Sequence, residues 1–498
     1  MALVGVDAGM TGVKAVLFRE DGRIISSAYR EYPLYQPQRG WAELDGAEIW
    51  RATAAVIAEA ASAAKDPVKS VAVSSMGEAA VPVGRDGKPL ARAICAFDTR
   101  TAGITREIES RIGRERLFKI TGHPPHASYT INHLVWLKRN RPRLLAKTRK
   151  FLCIQDFLGL LLSGEAAIGY SLAARTSLFD IRKRAWSSEL FDAIELSPDI
   201  LSPPLEAGSA YAKVLPSVAG KLGLSPETLV VTGGHDQPMC CLGAGATREG
   251  MADLSLGTVE CIANTHKKPV LSKKVLDRNL PVYNHVIPGH YTSLAYNLNS
   301  GGLLRWFRDN FAAEERRQAK KEGRSVYEIL FEKMPDATTQ VLFMPHLVGT
   351  GTPYLDPLSR GAILNLDLAT SREELFLAAA QGTVLEFMVN YRALQECGLA
   401  PDTINAIGGG ARSSKWLQMR ADALGVPINR MNVEEAGCVA AAVLGGVASG
   451  VFKDVLEGAA AFATVEETLQ PRPKRRPEWQ ALFEKYKGLY EAAREFRL

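Results

Sequence analysis

The chain opens on the apolar run Leu3-Val4-Gly5-Val6, breaks at Asp7-Ala8-Gly9-Met10-Thr11-Gly12, and turns apolar again through Val13–Phe18, where Lys14 is the one charged position. A second polar break at Glu20-Asp21-Gly22-Arg23 leads to Ile24-Ile25, and this rhythm predicts an antiparallel strand meander. From Asp45 to Ala64 the apolar residues recur at helical spacing behind Asp45, a candidate N-cap. Val68–Val73 reads as a strand, Pro82-Val83 falls in another, and Asp86-Gly87-Lys88-Pro89 is a turn. Strands followed by helices over such a length predict an α/β domain with a mixed sheet.

Farther on, turn-rich and helical pieces alternate between Thr121 and Phe179, with a helix at Asp156–Leu162, and Leu201–Leu205 reads as a loop. The strand pattern returns at Leu229–Asp236 and is followed by a small-residue helix at Cys241–Ala246. Ala252–Ile262 then repeats the opening hairpin around Gly257-Thr258, so two similar domains are expected. Downstream lie a predicted helix at Arg372–Glu396, a strand at Ile404–Ile407 entering Gly408–Ser414, and helices near Lys415–Leu424 and Ala436–Ser449. The tail from Glu478 to Leu498 keeps helical periodicity and is expected to dock on a domain, behind the solvated helix entry Lys474-Arg475-Arg476.

Composition narrows the class. At roughly 150 residues per domain, 498 residues make two large domains or about three. A formal charge of +6 over this length is too dilute for a dedicated nucleic-acid binder. No apolar run reaches the roughly 18 residues of a membrane span, and the N-terminus enters a strand directly, so no membrane partner and a cytoplasmic location are expected. The 7 cysteines include no CxxC and no Cys/His cluster, and read as buried thiols.

Chemistry gathers at the turns. In Asp7–Lys14 two glycines let backbone N–H groups approach a phosphate, Thr11 adds a hydroxyl and Lys14 a charge, while Asp7 can hold Mg²⁺ through water. The alternative is a hairpin turn whose glycines serve geometry alone. Gly257-Thr258 offers the same donors with less charge. Gly408–Ser414, a strand ending in three glycines and opening a helix, aims N–H groups at an anion or lays flat backbone against a base or ribose. Asp236 sits at the carboxyl end of an apolar strand behind Gly233-Gly234, glycines that open space for a ligand; there it either accepts a proton from a substrate hydroxyl or caps the next helix. His235 reads as a locally bonded residue rather than the base.

Taken in order, Asp7–Lys14, Ala96-Phe97-Asp98-Thr99-Arg100, Gly233–Gln237, Gly257-Thr258, Phe343–Asp356, Arg360-Gly361 and Gly408–Arg412 resemble the FGGY carbohydrate kinases, among them xylulose, glycerol and fuculose kinases. The resemblance runs from about residue 3 to about residue 450. It implies two actin-like, ribonuclease-H-type domains with an interdomain cleft, an N-terminal one at 1–245 binding sugar and a C-terminal one at 246–498 binding ATP. It also implies Asp236 as general base and Asp7 near the metal. Gly9, Thr11 and Lys14 would face the transferred phosphate, Gly257 and Thr258 would form the second phosphate loop, and Gly409, Gly410 and Ala411 would lie beside the adenosine. ATP and Mg²⁺ are the implied cofactors, and a homodimer is compatible with it.

The sugar side departs from the pattern. Ser75-Met76-Gly77-Glu78 stands where glycerol kinases carry an Asn-Gln-Arg-Glu type sequence and xylulose kinases a Gln-Met-His-Gly type, so Met76 matches one and Glu78 the other, while Gly77 replaces the contacting Arg or His. The expected aromatic is Ala96, and the glycerol kinases' tyrosine falls at Ser128. These losses argue against glycerol, and the smaller residues predict a roomier pocket for a longer sugar or polyol. Candidate sugar contacts are Glu78, Met76, Asp98, Arg100, Asp236 and Gln237, with His126. The expected activity is ATP-dependent phosphorylation of a small sugar or polyol. The rival reading is a non-catalytic sugar-responsive protein or chaperone-like ATPase on the same fold.

Overall fold

A computed structural model describes residues 1–496, and two sheets organise it. The first is built from Ala2–Ala8 (β1), Gly12–Arg19 (β2), Ile24–Glu31 (β3), Val68–Ser75 (β4), Ala210–Lys213 (β5) and Leu229–His235 (β6), in the order β5-β6-β4-β1-β2-β3. β1, β2 and β3 form the expected antiparallel meander; β4 and β6 add in parallel, and β5 closes the edge antiparallel. The central strands β1, β4 and β6 are buried along nearly their whole length, which is why they read as continuous apolar runs.

The second sheet comprises Met251–Leu256 (β7), Glu260–His266 (β8), Val282–Asn284 (β9), Tyr291–Asn297 (β10), Thr403–Ile407 (β11), Ile428–Met431 (β12) and Val465–Leu469 (β13), in the order β9-β10-β8-β7-β11-β12-β13. Its centre repeats the first sheet: an antiparallel run β10-β8-β7, two parallel strands β11 and β12, and an antiparallel edge. The hairpins β1–β2 and β7–β8 are therefore equivalent elements, and the fold is the duplicated actin-like arrangement.

The helices that matter to function are Gly46–Ala61 (α1), Tyr170–Arg175 (α2), Asp236–Gly243 (α3), Gly301–Phe311 (α4), Arg372–Glu396 (α5), Ser414–Leu424 (α6), Ala436–Ala448 (α7) and Arg476–Tyr486 (α8). Asp45 caps α1, accepting from the N–H groups of Ala47 and Glu48. α3 begins at Asp236, earlier than the predicted 241, because Pro238 sits in its first turn, where a missing N–H costs nothing. The three glycines after β11 do not open a helix: Gly409–Arg412 form a 3₁₀ turn, and α6 starts behind Ser413, which accepts from the Trp416 N–H. The tail docks through Trp479, Leu482 and Phe483, and its last two positions lie outside the described residues.

Packing does not follow chain order. α7, from the C-terminal half, lies on the first sheet, and a β-carbon at Gly5 of β1 would stand 1.9 Å from the Cys438 carbonyl oxygen. Ala440–Leu444 share one core with Leu3, Val16, Phe18 and Ala72 of that sheet, and with Met239 and Leu242 of α3. Small residues in α7 permit this close approach, and the site's geometry depends on it. Among the described residues no helix is long and apolar enough to cross a membrane.

Candidate active site

The carboxyl ends of β1, β4 and β6 converge, the position where parallel sheets hold ligands. Register places Asp7 beside Ser74 and Ser75 beside His235. Asp7 Oδ1 accepts a hydrogen bond from Ser74 Oγ at 2.6 Å. Burial raises the Asp7 pKa; the Ser74 bond opposes this, Glu435 adds to it and Lys14 opposes it. Gly437, at the start of α7, presses on the same carboxylate, since a β-carbon there would lie 2.9 Å from Asp7 Cγ.

Asp236 follows β6 directly. Its Oδ1 is buried without a hydrogen-bond partner, and His235 Nε2, 3.1 Å away, lacks hydrogen-bond geometry toward it. Burial, then the charges of Asp7 and Glu78, push this carboxyl up to about 7, with Gln237 and Arg175 opposing. It does not cap its helix, whose N-cap residue is His235. His235 is held locally, its Nδ1 2.8 Å from the Tyr283 hydroxyl, and burial drives its pKa well below the usual value so that it stays neutral. Gly233 and Gly234 do not open space for a ligand. A β-carbon at Gly233 would lie 1.9 Å from the Val73 carbonyl oxygen, and one at Gly234 2.3 Å from Ser171 Oγ, so both serve close packing of neighbouring chain.

The expected nucleotide contacts form two groups. Gly9 faces open space, with Gly12 O the nearest atom to a β-carbon there at 3.7 Å, and Thr11 is exposed. Lys14 forms an ion pair with Glu435, just before α7. In the second hairpin Gly257 and Thr258 are exposed, and the N–H groups of Ser300, Gly301 and Gly302 at the start of α4 donate to their carbonyls at 3.0–3.1 Å, holding the loop from behind. Gly408 takes φ +87°, Gly409 has nothing against it, and Gly410 lies over Trp416 and Leu256. Ala411 turns its side chain into the C-terminal core, so only its backbone is available to a ligand. Gly408, Gly409, Arg412, Arg430 and Glu435 line a cavity of about 230 Å³. Through Glu435, Lys14 of the first hairpin and the glycine turn of the second sheet meet at one cavity.

Behind that turn is a fully buried ion pair: Arg420 Nε donates to Glu260 Oε1 at 2.9 Å, and the guanidinium stacks 4.2 Å from the Trp416 ring. A further Arg420 N–H donates to Ser300 Oγ at 3.3 Å. One cation thus braces the strand leaving Thr258, the start of α4 and the aromatic under Gly410.

The sugar-side candidates divide. Glu78 lies near Asp236 and forms an ion pair with Arg175 of α2. Gln237 is half-buried beside Asp236. Met76 is spent on packing; its side chain belongs to the N-terminal core, as its place between β4 and the Ala8 carbonyl requires. Asp98 and Arg100 are likewise spent on structure. Asp98 accepts from the Ala42 N–H at 2.6 Å and from Arg100 at 2.7–2.9 Å, and Arg100 also binds Glu43 and stacks 3.6 Å over Trp41. His126 is exposed and bonds Ser128 Oγ at 2.9 Å. The room expected beside Gly77 is filled: a β-carbon there would stand 2.9 Å from His235 Cδ2 and 3.4 Å from Arg175 Nε.

Sequence reasoning missed Ser74, Arg175, Tyr283, Glu435 and the Glu260–Arg420 pair. Ser74 had a local signal, a polar pair ending an apolar strand. Arg175, Tyr283 and Glu435 reach the site from elements distant in the chain, and no local pattern marks them.

Both halves of the chain have counterparts among known proteins. Residues 2–243 match the N-terminal domain, and residues 252–449 the C-terminal domain, of the FGGY family of carbohydrate kinases. A xylulose kinase of Bacillus subtilis is 28% identical over 492 residues, covering 98% of this chain and 96% of the relative. A gluconokinase of the same organism is 28% identical over 454 residues, 90% and 88%. An autoinducer-2 kinase of Escherichia coli is 28% identical over 513 residues, 98% and 95%. In structure, a xylulose kinase from Brucella ovis superposes with a TM-score of 0.88 at 26% identity over the full length of both chains. A ligand-bound xylulose kinase from Lactobacillus acidophilus gives 0.90 at 24%, covering 99% of this chain and 98% of its own. With both halves matched in order, the chain belongs to the FGGY family of carbohydrate kinases.

Proposed function

We propose that this kinase transfers the γ-phosphoryl group of ATP to a hydroxyl of a small ketose or polyol, with Asp236 as general base. The observation that carries the reading is the Asp236 carboxylate: it stands at the carboxyl end of β6, its Oδ1 makes no hydrogen bond within the protein, and two neighbouring carboxylates raise its basicity. The substrate hydroxyl gives its proton to Asp236 as its oxygen bonds to phosphorus and the bond to the ADP oxygen breaks. Neutral His235 cannot compete for that role while burial and the Tyr283 contact hold it. Gly9, Thr11 and Lys14 from one hairpin and Gly257 and Thr258 from the other supply donors to the phosphates, and Gly409 and Gly410 give the nucleotide a flat backbone surface. Pairing with Glu435 keeps Lys14 extended toward the same cavity.

Asp7 suits a magnesium ion carried by the nucleotide: one carboxylate, oriented by Ser74 and near enough to Asp236 to raise its pKa, matches an ion that keeps several waters and takes few protein ligands. Magnesium there would offset charge developing on the phosphates. A non-catalytic role finds no support in the family or in these intact acidic residues. The test is ADP release with Mg-ATP against C3–C7 polyols, ketoses, aldoses and sugar acids. One strong responder is expected, with glycerol poor; silence across the panel while ATP still binds overturns the reading.

A further inference from the structure

We infer, resting on the reading above, that the sugar subsite accepts a neutral polyhydroxylated substrate and rejects a sugar acid, because its cation, Arg175, is already paired with Glu78. This distinction matters since the relatives include both xylulose kinases and gluconokinases at equal identity.

The pair is built in from three directions. Glu78 sits in the left-handed region at φ +62°, and its backbone carbonyl accepts from Thr130 Oγ1 at 2.9 Å, which directs the carboxylate toward Arg175. Arg175 arrives from α2, nearly a hundred residues later in the chain, and passes between Tyr129 and Tyr283, 5.1 and 5.7 Å from their ring centres. Gly77 leaves the space that Arg175 Nε and the His235 ring then occupy. The side chains of Arg175 and Glu78 are 14% and 6% exposed, so neither partner swings away to meet solvent.

Charge around Asp236 decides what the subsite tolerates. Asp7 and Glu78 both raise the Asp236 carboxyl, and Arg175 is the cation that acts against them. The next cation, Lys14, is paired with Glu435, and Arg100 is spent on Asp98 and Glu43. His123 and His235 are both shifted toward their neutral forms, chiefly by burial. The guanidinium's Nε has no hydrogen-bond partner but is buried beside Gly77 and the His235 ring, so a substrate carboxylate would add a further negative charge beside Asp236 and Glu78 with no unpaired cation, among these groups, to receive it. A hydroxyl both donates and accepts, so it can bond this paired surface without changing its charge.

The test compares D-xylulose, D-ribulose, xylitol and ribitol with D-xylonate and D-gluconate, using the full chain, by coupled ADP release and by calorimetric binding without ATP. The neutral probes should exceed the aldonates at least 100-fold in kcat/KM and in affinity. Glu78→Gln frees Arg175 and should shift the ratio toward aldonates by at least tenfold in a protein whose circular dichroism and ATP affinity are unchanged. Preference of the wild type for an aldonate overturns the inference, as does a folded Glu78→Gln variant with an unaltered ratio, or absence of binding by every neutral probe. If neutral probes bind selectively yet no ADP forms, the kinase reading fails and this inference stands.

Discussion

Replacing Asp236 with Asn should move activity and stability in opposite directions, by amounts the site itself sets. The folded protein holds this carboxyl up to about 7 against an ordinary value of 3.8, principally by burial and then through Asp7 and Glu78. A difference of about three units, at about 1.36 kcal/mol each, opposes the ionised folded state by about 4 kcal/mol. The side chain is 30% exposed, and solvent screening brings the effective figure to about 2 kcal/mol. Because the folded pKa is raised, the penalty is absent below the unfolded value of 3.8, grows through about 7 and is complete above it. Asn carries no such penalty. The variant should therefore unfold on the order of 2 °C above wild type near pH 8, with the gap closing toward about pH 4. Turnover follows the opposite logic, since the base must be ionised: wild-type kcat should rise with pH through about 7, and the variant should lose roughly 10²–10⁴-fold. Scanning calorimetry and coupled ADP release over one pH series measure both. A variant that keeps near-wild-type turnover, or an unfolding gap that does not change with pH, would refute the assignment of Asp236 as a buried, ionising base.

Three further outcomes follow from other contacts. Glu260→Gln leaves Arg420 charged and fully buried with Ser300 and Trp416 as company, so chemical denaturation should show a loss of about 3–5 kcal/mol and the KM for ATP should rise while that for sugar holds; a KM for ATP within twofold of wild type removes the bracing role. Gly437→Ala forces a β-carbon to 2.9 Å from the Asp7 carboxylate carbon and should lower kcat at least tenfold with little change in overall stability, checked by steady-state kinetics beside a melting curve. Asp98→Asn should destabilise by about 3 kcal/mol and leave the sugar KM unmoved, because Asp98 is committed to Arg100 and the Ala42 N–H; a large rise in sugar KM without destabilisation returns Asp98 to the substrate contacts.

Both hairpins, the helix at Arg372–Glu396 and the strand before the three glycines were legible in the primary structure, since each is a local alternation bounded by turn residues. The placement of Asp7, Lys14, Gly9, Gly257 and Asp236 at turns and strand ends was legible for the same reason: each lies within a few residues of the element that carries it. The helix start at Asp236 was misplaced because a proline reads as a stop when only its neighbours are considered, although the first helical turn has no use for its N–H. The sugar side misled most. Met76, Asp98 and Arg100 have the chemistry of sugar contacts, but side-chain type does not reveal whether a partner inside the fold has already taken the group.

The order of apolar and polar positions was thus enough to set the strands, the turns and the acidic residues at strand ends, because those depend on interactions over a few residues. Which surfaces meet was decided by tertiary packing. α7 crosses from the C-terminal half to lie on the first sheet and brings Glu435 to Lys14 and Gly437 to Asp7. Arg175 reaches Glu78 from a distant helix and fills the space that Gly77 vacates. Such contacts depend on the close fit of whole elements and on the cost of burying a charge without a partner, and neither quantity is written in any short stretch of residues.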